Sequence, residues 1–341
     1  MDTGCGPRDA GLACFRGWPV SGAGLVSGWR APACVGGTRD DGQRAGGRQR
    51  ITGRGGVASA ANRGKRDQRG QGLRVAYAGA YGSGPFAALA RSGLAQEGIE
   101  IVQRPKAGLG TGVVVSIVDA GGERTFVTAP DAEASLTADD LAAVQARAED
   151  AVYLSGYGLA HVSNRPALLG WLEHLGGSNL VIFDPGPLAD RIPAATLGGV
   201  IRRADWLTCN AREAAILTGQ ADPAAAVRAL SDRQSGVGTG RANAGRARAG
   251  GVIVRTGPAG CLIACDGGES VRVPGFPVAA TDTNGAGDTH TGTFVAALAR
   301  GVDENEAARL ANAAAAWSVT KAGPATGPTA NELARFLARH G

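Results

Sequence analysis

Hydrophobic positions in this chain fall into two regimes. From Leu73 onward they gather in short continuous runs that alternate with stretches of helical spacing, and before Leu73 no sustained period exists. The runs are LRVAYAGAYG (Leu73 to Gly82), AVYLSGYG (Ala151 to Gly158), NLVIFDPGP (Asn179 to Pro187), the stretch from Ala204 to Asn210, and GGVIVRTGPAGCLIAC (Gly250 to Cys265). A run that is apolar on both sides predicts a strand buried on both faces, as in a parallel sheet covered by helices. Helical spacing fills Pro85 to Gly98, Leu136 to Arg147, Arg165 to Leu175, Glu213 to Gly219, Glu304 to Lys321 and Asn331 to His340. This alternation predicts an α/β domain with a mostly parallel central sheet. GTGVVVSIVDAGGERTFVTAP (Gly110 to Pro130) differs: two strands flank Ala120-Gly121-Gly122, which predicts a hairpin.

One stretch adds chemistry to this pattern. Thr281 to Gly301 reads TDTNGAGDTHTGTFVAALARG, preceded by the β-leaning run Val271 to Ala280. A Gly-rich turn, Asn284-Gly285-Ala286-Gly287, leads through Asp288 into a helix expected over Thr289 to Arg300. Backbone N–H groups at a helix start have no intrahelical partner and carry the positive end of its dipole, so they bind anions. A carboxylate there repels phosphate, unless its task is to take a proton from a nucleophile attacking that phosphate. An anion cradle with a base is the minimal apparatus of phosphoryl transfer. The plainer alternative is a strand-to-helix turn with Asp288 as a cap. No GxxxxGK[ST] loop is present, so nucleotide chemistry would rest on the Gly-Ala-Gly cradle. His290 follows the carboxylate directly but lies within the expected helix start.

The string DTNGAGD resembles the DTxGAGD signature of the ribokinase-like (PfkB) carbohydrate kinases. Other segments of residues 73 to 341 follow the family's order. The hairpin resembles TGxxxxxVDxxGERT, and DPGP stands at the DPNxR position. Asn210 and Glu213 match NxxE, which is a capping pattern as often as a metal site. Thr256, Gly257 and Gly260 match TxGxxG, with Arg255 standing where the family usually has Thr.

The resemblance implies a three-layer α/β/α domain with a small β lid at about 110–129. It implies ATP-dependent phosphorylation of a primary hydroxyl of a small sugar, with Asp288 as general base and the backbone N–H groups of Gly285, Ala286 and Gly287 as the cradle. Asn210, Glu213, Thr256, Gly257 and Gly260 would lie along the nucleotide, with Glu213 reaching Mg²⁺ through water. Asn312 would sit beside the adenine. Asp282, with carbonyls of Gly323 to Thr329, would hold a monovalent cation, K⁺ being the candidate. Small-molecule partners, a sugar and ATP, are implied, and a homodimer through the lid is left open. Nucleosides are the alternative acceptors in this family.

Composition sharpens the boundary at Leu73. Residues 1–72 hold 12 Lys+Arg against 5 Asp+Glu, and 18 of them are Gly, whereas residues 73–341 hold 23 basic against 25 acidic residues. The overall charge of +5 therefore comes from the N-terminal fifth and is no nucleic-acid signal for the body of the chain. That fifth reads as a disordered basic segment, or as the translation of a misread frame of a GC-rich gene. The sugar-holding Gly-Gly loop and Asn of the family belong in this region. The nearest fragment is Gly53-Arg54-Gly55-Gly56 with Asn62, at a longer spacing. Without that loop the chain could instead be a nucleotide-binding pseudokinase or an inactive product. Asp232 to Gly250 reads as a second aperiodic insertion. The six Cys match no zinc pattern, and no apolar run is long enough for a signal peptide or membrane span, so a cytoplasmic protein is expected.

Overall fold

The computed structural model describes residues 24–28, 57–59, 73–97, 99–118, 124–147, 150–176, 179–235, 250–323 and 326–340. Strands β1 (Gly24–Gly28), β2 (Val57–Ser59) and β3 (Leu73–Tyr77) precede helix α1 (Pro85–Gln96) and β4 (Glu100–Ile101). The pair β5 (Val113–Val118) and β6 (Arg124–Ala129) follows, then α2 (Ala138–Ala142), β7 (Ala151–Ser155), α3 (Gly156–Ala160), α4 (Arg165–His174) and β8 (Leu180–Asp184). After these come α5 (Ala194–Arg203), β9 (Trp206–Asn210), α6 (Ala211–Thr218), α7 (Pro223–Ser235), β10 (Gly251–Arg255), β11 (Cys261–Cys265) and β12 (Val271–Val273). Three helices close the chain: α8 (Ala286–Leu298), α9 (Glu304–Val319) and α10 (Ala330–His340).

Among the described residues the main sheet has ten strands, in the order β12-β11-β10-β9-β8-β7-β2-β1-β3-β4. Its centre, β7 to β10, runs parallel, and the antiparallel β11 and β12 complete one edge. The alternation of side chains along these strands makes three layers. Val181, Phe183, Leu207, Cys209, Val252 and Val254 face one way, into a core shared with α4 to α7. Leu180, Ile182, Trp206, Ile253 and Ile263 face the other way, into a core shared with α8 and α9. Both faces are dry, which is why the strands read as continuous apolar runs. Trp206 and Phe294 meet edge to face, their centroids 4.8 Å apart.

The hairpin forms a separate two-stranded sheet, Val113 pairing Ala129 through to Val118 pairing Arg124. Its foot is pinned by hydrogen bonds. Gly82 N–H donates to Thr111 Oγ1 (3.0 Å), Gly110 N–H to Asp131 Oδ2 (2.9 Å), and Gly112 N–H to the buried Glu133 Oε2 (2.9 Å).

Several expectations change. Two strands, β1 and β2, come from the segment left without elements by the hydrophobic pattern, and both pair with β7. The first residues of the expected insertion over 232–250 are helical instead, because α7 continues to Ser235, and residues 236–249 lie outside the described residues. The helix expected over Leu136 to Arg147 is only α2, although Thr137 caps it as read, in a capping box with Asp140. Only Val271–Val273 of the run before the Gly-rich turn is strand. The hairpin tip at Ala120-Gly121-Gly122, the fragment Gly53-Arg54-Gly55-Gly56 and Asn62 lie outside the described residues. No helix among the described residues is long and apolar enough to cross a membrane.

Candidate active site

The three central strands end side by side on polar residues: β8 on Asp184, β9 on Asn210 and β10 on Arg255. Arg255 and Asn210 are direct register partners. The carboxyl ends of parallel strands are where open α/β sheets bind ligands. Opposite them stands the N-terminus of α8. Gly285 takes φ 80°, a left-handed turn that glycine makes without strain, and the helix begins at Ala286, three residues before the expected Thr289. Ala286, Gly287 and Asp288 therefore form its first turn. No side chain caps this turn, and among the described residues the N–H groups of Gly287 and Asp288 have no partner.

Arg255 joins the two sides. Its Nη1 donates to Thr208 Oγ1 (2.6 Å) and Thr291 Oγ1 (3.2 Å), the first on β9 and the second on α8. Its Nη2 donates to Asp184 Oδ2 (3.2 Å) and lies 3.6 Å from Glu213 Oε2. Burial works against the guanidinium charge, but Asp184 and Glu213 outweigh it and hold the arginine more firmly protonated. Glu213 is pushed the other way: burial and then Asp184 raise its pKa, with Arg255 opposing. Asp288, partly buried, is raised to about 7, first by burial and then by Asp184, while Arg255 pulls it down. Ionising carboxylates with low-dielectric neighbours behave in this way.

The capping reading of Asn210 and Glu213 is the one the structure displays. They form a capping box, Asn210 N–H donating to Glu213 Oε2 (2.8 Å) and Glu213 N–H to Asn210 Oδ1 (2.9 Å). The same Glu213 carboxylate belongs to the Arg255 cluster. Among the described residues no three His, Cys, Asp or Glu side chains converge as a metal cage. Asp184 and Glu213 are nonetheless paired oxygen donors beside an anion cradle, and this fits Mg²⁺ that keeps most of its water and binds through phosphate.

The TGPAG loop closes on itself. Thr256 N–H and Oγ1 both donate to the Gly260 carbonyl (2.8 and 3.0 Å). A Cβ at Gly260 would stand 2.1 Å from the Val273 carbonyl oxygen, and one at Gly275 would stand 2.3 Å from that of Pro258. Loop and post-β12 segment therefore interlock. Asn312 is buried and fully engaged. Its Nδ2 donates to the Val273 and Pro274 carbonyls (both 3.1 Å), and its Oδ1 is 3.1 Å from His290 Nε2. Its amide atoms thus already serve the protein. Burial, with Arg255 nearby, drops the His290 pKa to about 3, so the ring is neutral and structural. Asp282 accepts from Asn284 N–H and Gly323 N–H (both 2.9 Å), tying the start of the turn to the loop after α9.

The structure thus gathers Asp288, Gly285, Ala286, Gly287, Asn210 and Glu213 at one place, with Asp184, Thr208, Thr291 and Arg255 added. The sequence signal for the additions was a polar residue closing each apolar strand, and a Thr on each side of the cleft.

Comparison with known proteins identifies the family and the fold. Residues 57–331 match the profile described as pfkB family carbohydrate kinase. The uncharacterized sugar kinase YegV of Escherichia coli is 30% identical over 253 residues, 74% of each chain. Among solved structures, ribokinase from Thermotoga maritima aligns with TM-score 0.59 at 25% identity, covering 76% of this chain and 80% of that one. A putative ribokinase II from E. coli, in complex with ATP and Mg²⁺, aligns with TM-score 0.62 at 19% identity, covering 94% and 98%.

Proposed function

The chain belongs to the pfkB family of carbohydrate kinases, and on that premise we propose that it transfers the γ-phosphoryl group of ATP to a primary hydroxyl of a small sugar. The observation that carries this reading is Asp288 in the first turn of an uncapped helix, opposite the cluster of Asp184, Glu213 and Arg255. Asp288 takes the hydroxyl proton as the sugar oxygen bonds to phosphorus. The bond from phosphorus to the bridging oxygen breaks, and ADP leaves with that electron pair. The N–H groups of Gly285 and Gly287, joined by that of Asp288, stabilise charge on the transferring group, while that of Ala286 already donates to the Thr283 carbonyl (3.4 Å). Glu213, through water, and Asp184 would hold Mg²⁺, which when bound neutralises phosphate charge. Asn210, Thr256, Gly257 and Gly260 line the nucleotide, and Asn312 marks the adenine end. A monovalent cation, K⁺ being the candidate, belongs at Asp282.

A panel of sugars and nucleosides with ATP and Mg²⁺ tests the reading. ADP release is expected with at least one sugar. Turnover with nucleosides alone would move the chain to the nucleoside kinases, and ATP binding without turnover on anything would make it a pseudokinase.

The base also sets a pH dependence. A carboxylate accepts a proton only when ionised, and the pKa of Asp288 stands at about 7 rather than near 4. The value of kcat/KM, which reports the free enzyme, should rise with pH through a midpoint near 7. A profile that is flat between about pH 5 and pH 8 would exclude Asp288 as the titrating base.

A further inference from the structure

We infer that Arg255 is itself a catalytic residue, a cationic ligand of the transferring phosphoryl group. This rests on the kinase reading above. The guanidinium is packed against the cradle. A Cβ placed on Gly287 would lie 3.4 Å from Nη2, 3.5 Å from Cζ and 3.7 Å from Nε, all ordinary contact distances. Any anion seated on the first turn of α8 therefore has Arg255 as its neighbour. The side chain is only 13% exposed, so its charge acts with little screening from water.

Its hydrogen bonds leave room for such a ligand. Nη1 serves the two threonines and Nη2 serves the carboxylates. Nε–H, on the edge nearer Gly287, has no partner among the described residues. The threonines and carboxylates come from β8, β9, α6 and α8, so the fork is held from several sides before any substrate arrives. A positive charge held this way suits a phosphoryl group whose non-bridging oxygens carry the charge during transfer. Mg²⁺ alone does not call for it, because a guanidinium beside Asp184 and Glu213 competes with a cation for the same oxygens. An ion pair that only ties β8, α6 and β10 together would account for the carboxylate contacts. It would not account for a guanidinium laid against Gly287, the glycine in the first turn of α8.

The two roles separate on the terminal phosphate. Arg255→Gln should weaken binding of a non-hydrolysable ATP analogue by about 10- to 100-fold, the range for a charged hydrogen bond to phosphate. ADP, which lacks that phosphate, should weaken by less than about threefold. With an accepted sugar, kcat should fall while the KM for sugar stays near its original value. Equal weakening of both nucleotides, or no weakening of either, overturns the inference. Where R255Q loses its cooperative melt, R255K decides: it keeps the charge between the carboxylates and loses the fork. It should weaken the analogue by about 3- to 10-fold and leave ADP unchanged, and unaltered affinity for both overturns the inference. The kinase reading fails differently, when the unaltered chain itself binds no nucleotide or phosphorylates no acceptor.

Discussion

Asp288→Asn should leave ATP binding close to that of the unaltered chain while turnover falls by about 10²- to 10⁴-fold. The asparagine keeps the shape of the first turn of α8 and its free N–H groups, so the cradle survives. It removes the carboxylate proposed to take the proton. It also removes a negative charge from beside Asp184 and Glu213, which raise its pKa, so nucleotide affinity should hold or tighten. Single-turnover phosphorylation of an accepted sugar, with nucleotide affinity measured on the same preparation, separates the two effects. The pH dependence near 7 should vanish with the carboxylate. Near-normal turnover in D288N would remove Asp288 from its role.

The second large effect concerns stability. Gly260→Ala should be far worse than Gly257→Ala, although both positions have positive φ, 95° and 65°. At Gly257 an added methyl meets nothing within 4 Å, so the cost is left-handed strain alone, about 1–2 kcal/mol. At Gly260 the methyl would stand 2.1 Å from the Val273 carbonyl oxygen and 2.5 Å from Gly275 N. Both are backbone atoms and cannot rotate away. Strain and overlap together amount to roughly 2–5 kcal/mol. Thermal melts should show G260A lower than G257A by about 2–6 °C. Equal midpoints would mean that the loop and the segment after β12 are not interlocked.

The sheet was legible because burial on both faces makes a continuous apolar run, and β7 to β11 were all found this way. Three helices were not, and α3 is the first of them, starting inside the apolar run Ala151 to Gly158. The face of α5, Val200 and Ile201, follows Gly198-Gly199, which reads as a breaker. In α7 the buried Ala226, Val227 and Leu230 carry a helical face weakened by alanine. Strands β1 and β2 lie in a Gly-rich stretch whose pairing depends on distant partners, and no local pattern reports that.

At the site, the nucleus Asn284 to Asp288 could be read because cradle and base are consecutive. Arg255 could be seen only as a departure from a motif. Its meaning depends on Asp184, 71 residues away, and on Thr291, 36 residues away. Glu213 was legible as a cap, and the fold uses its carboxylate in both the capping box and the charged cluster.

The tie between the cradle and α9 bears on insertions and deletions. Thr281 and Asp282 donate their N–H groups to the Val319 carbonyl at the end of α9, and the Asp282 carboxylate takes the Gly323 N–H. The 16 residues of α9 thus act as a ruler for the position of Asp288. Adding or removing one residue in that helix would shift its end by about 1.5 Å and turn it by about 100°. A substitution within α9 leaves this spacing intact, whereas a change in its length displaces the start of the turn that leads to Asp288.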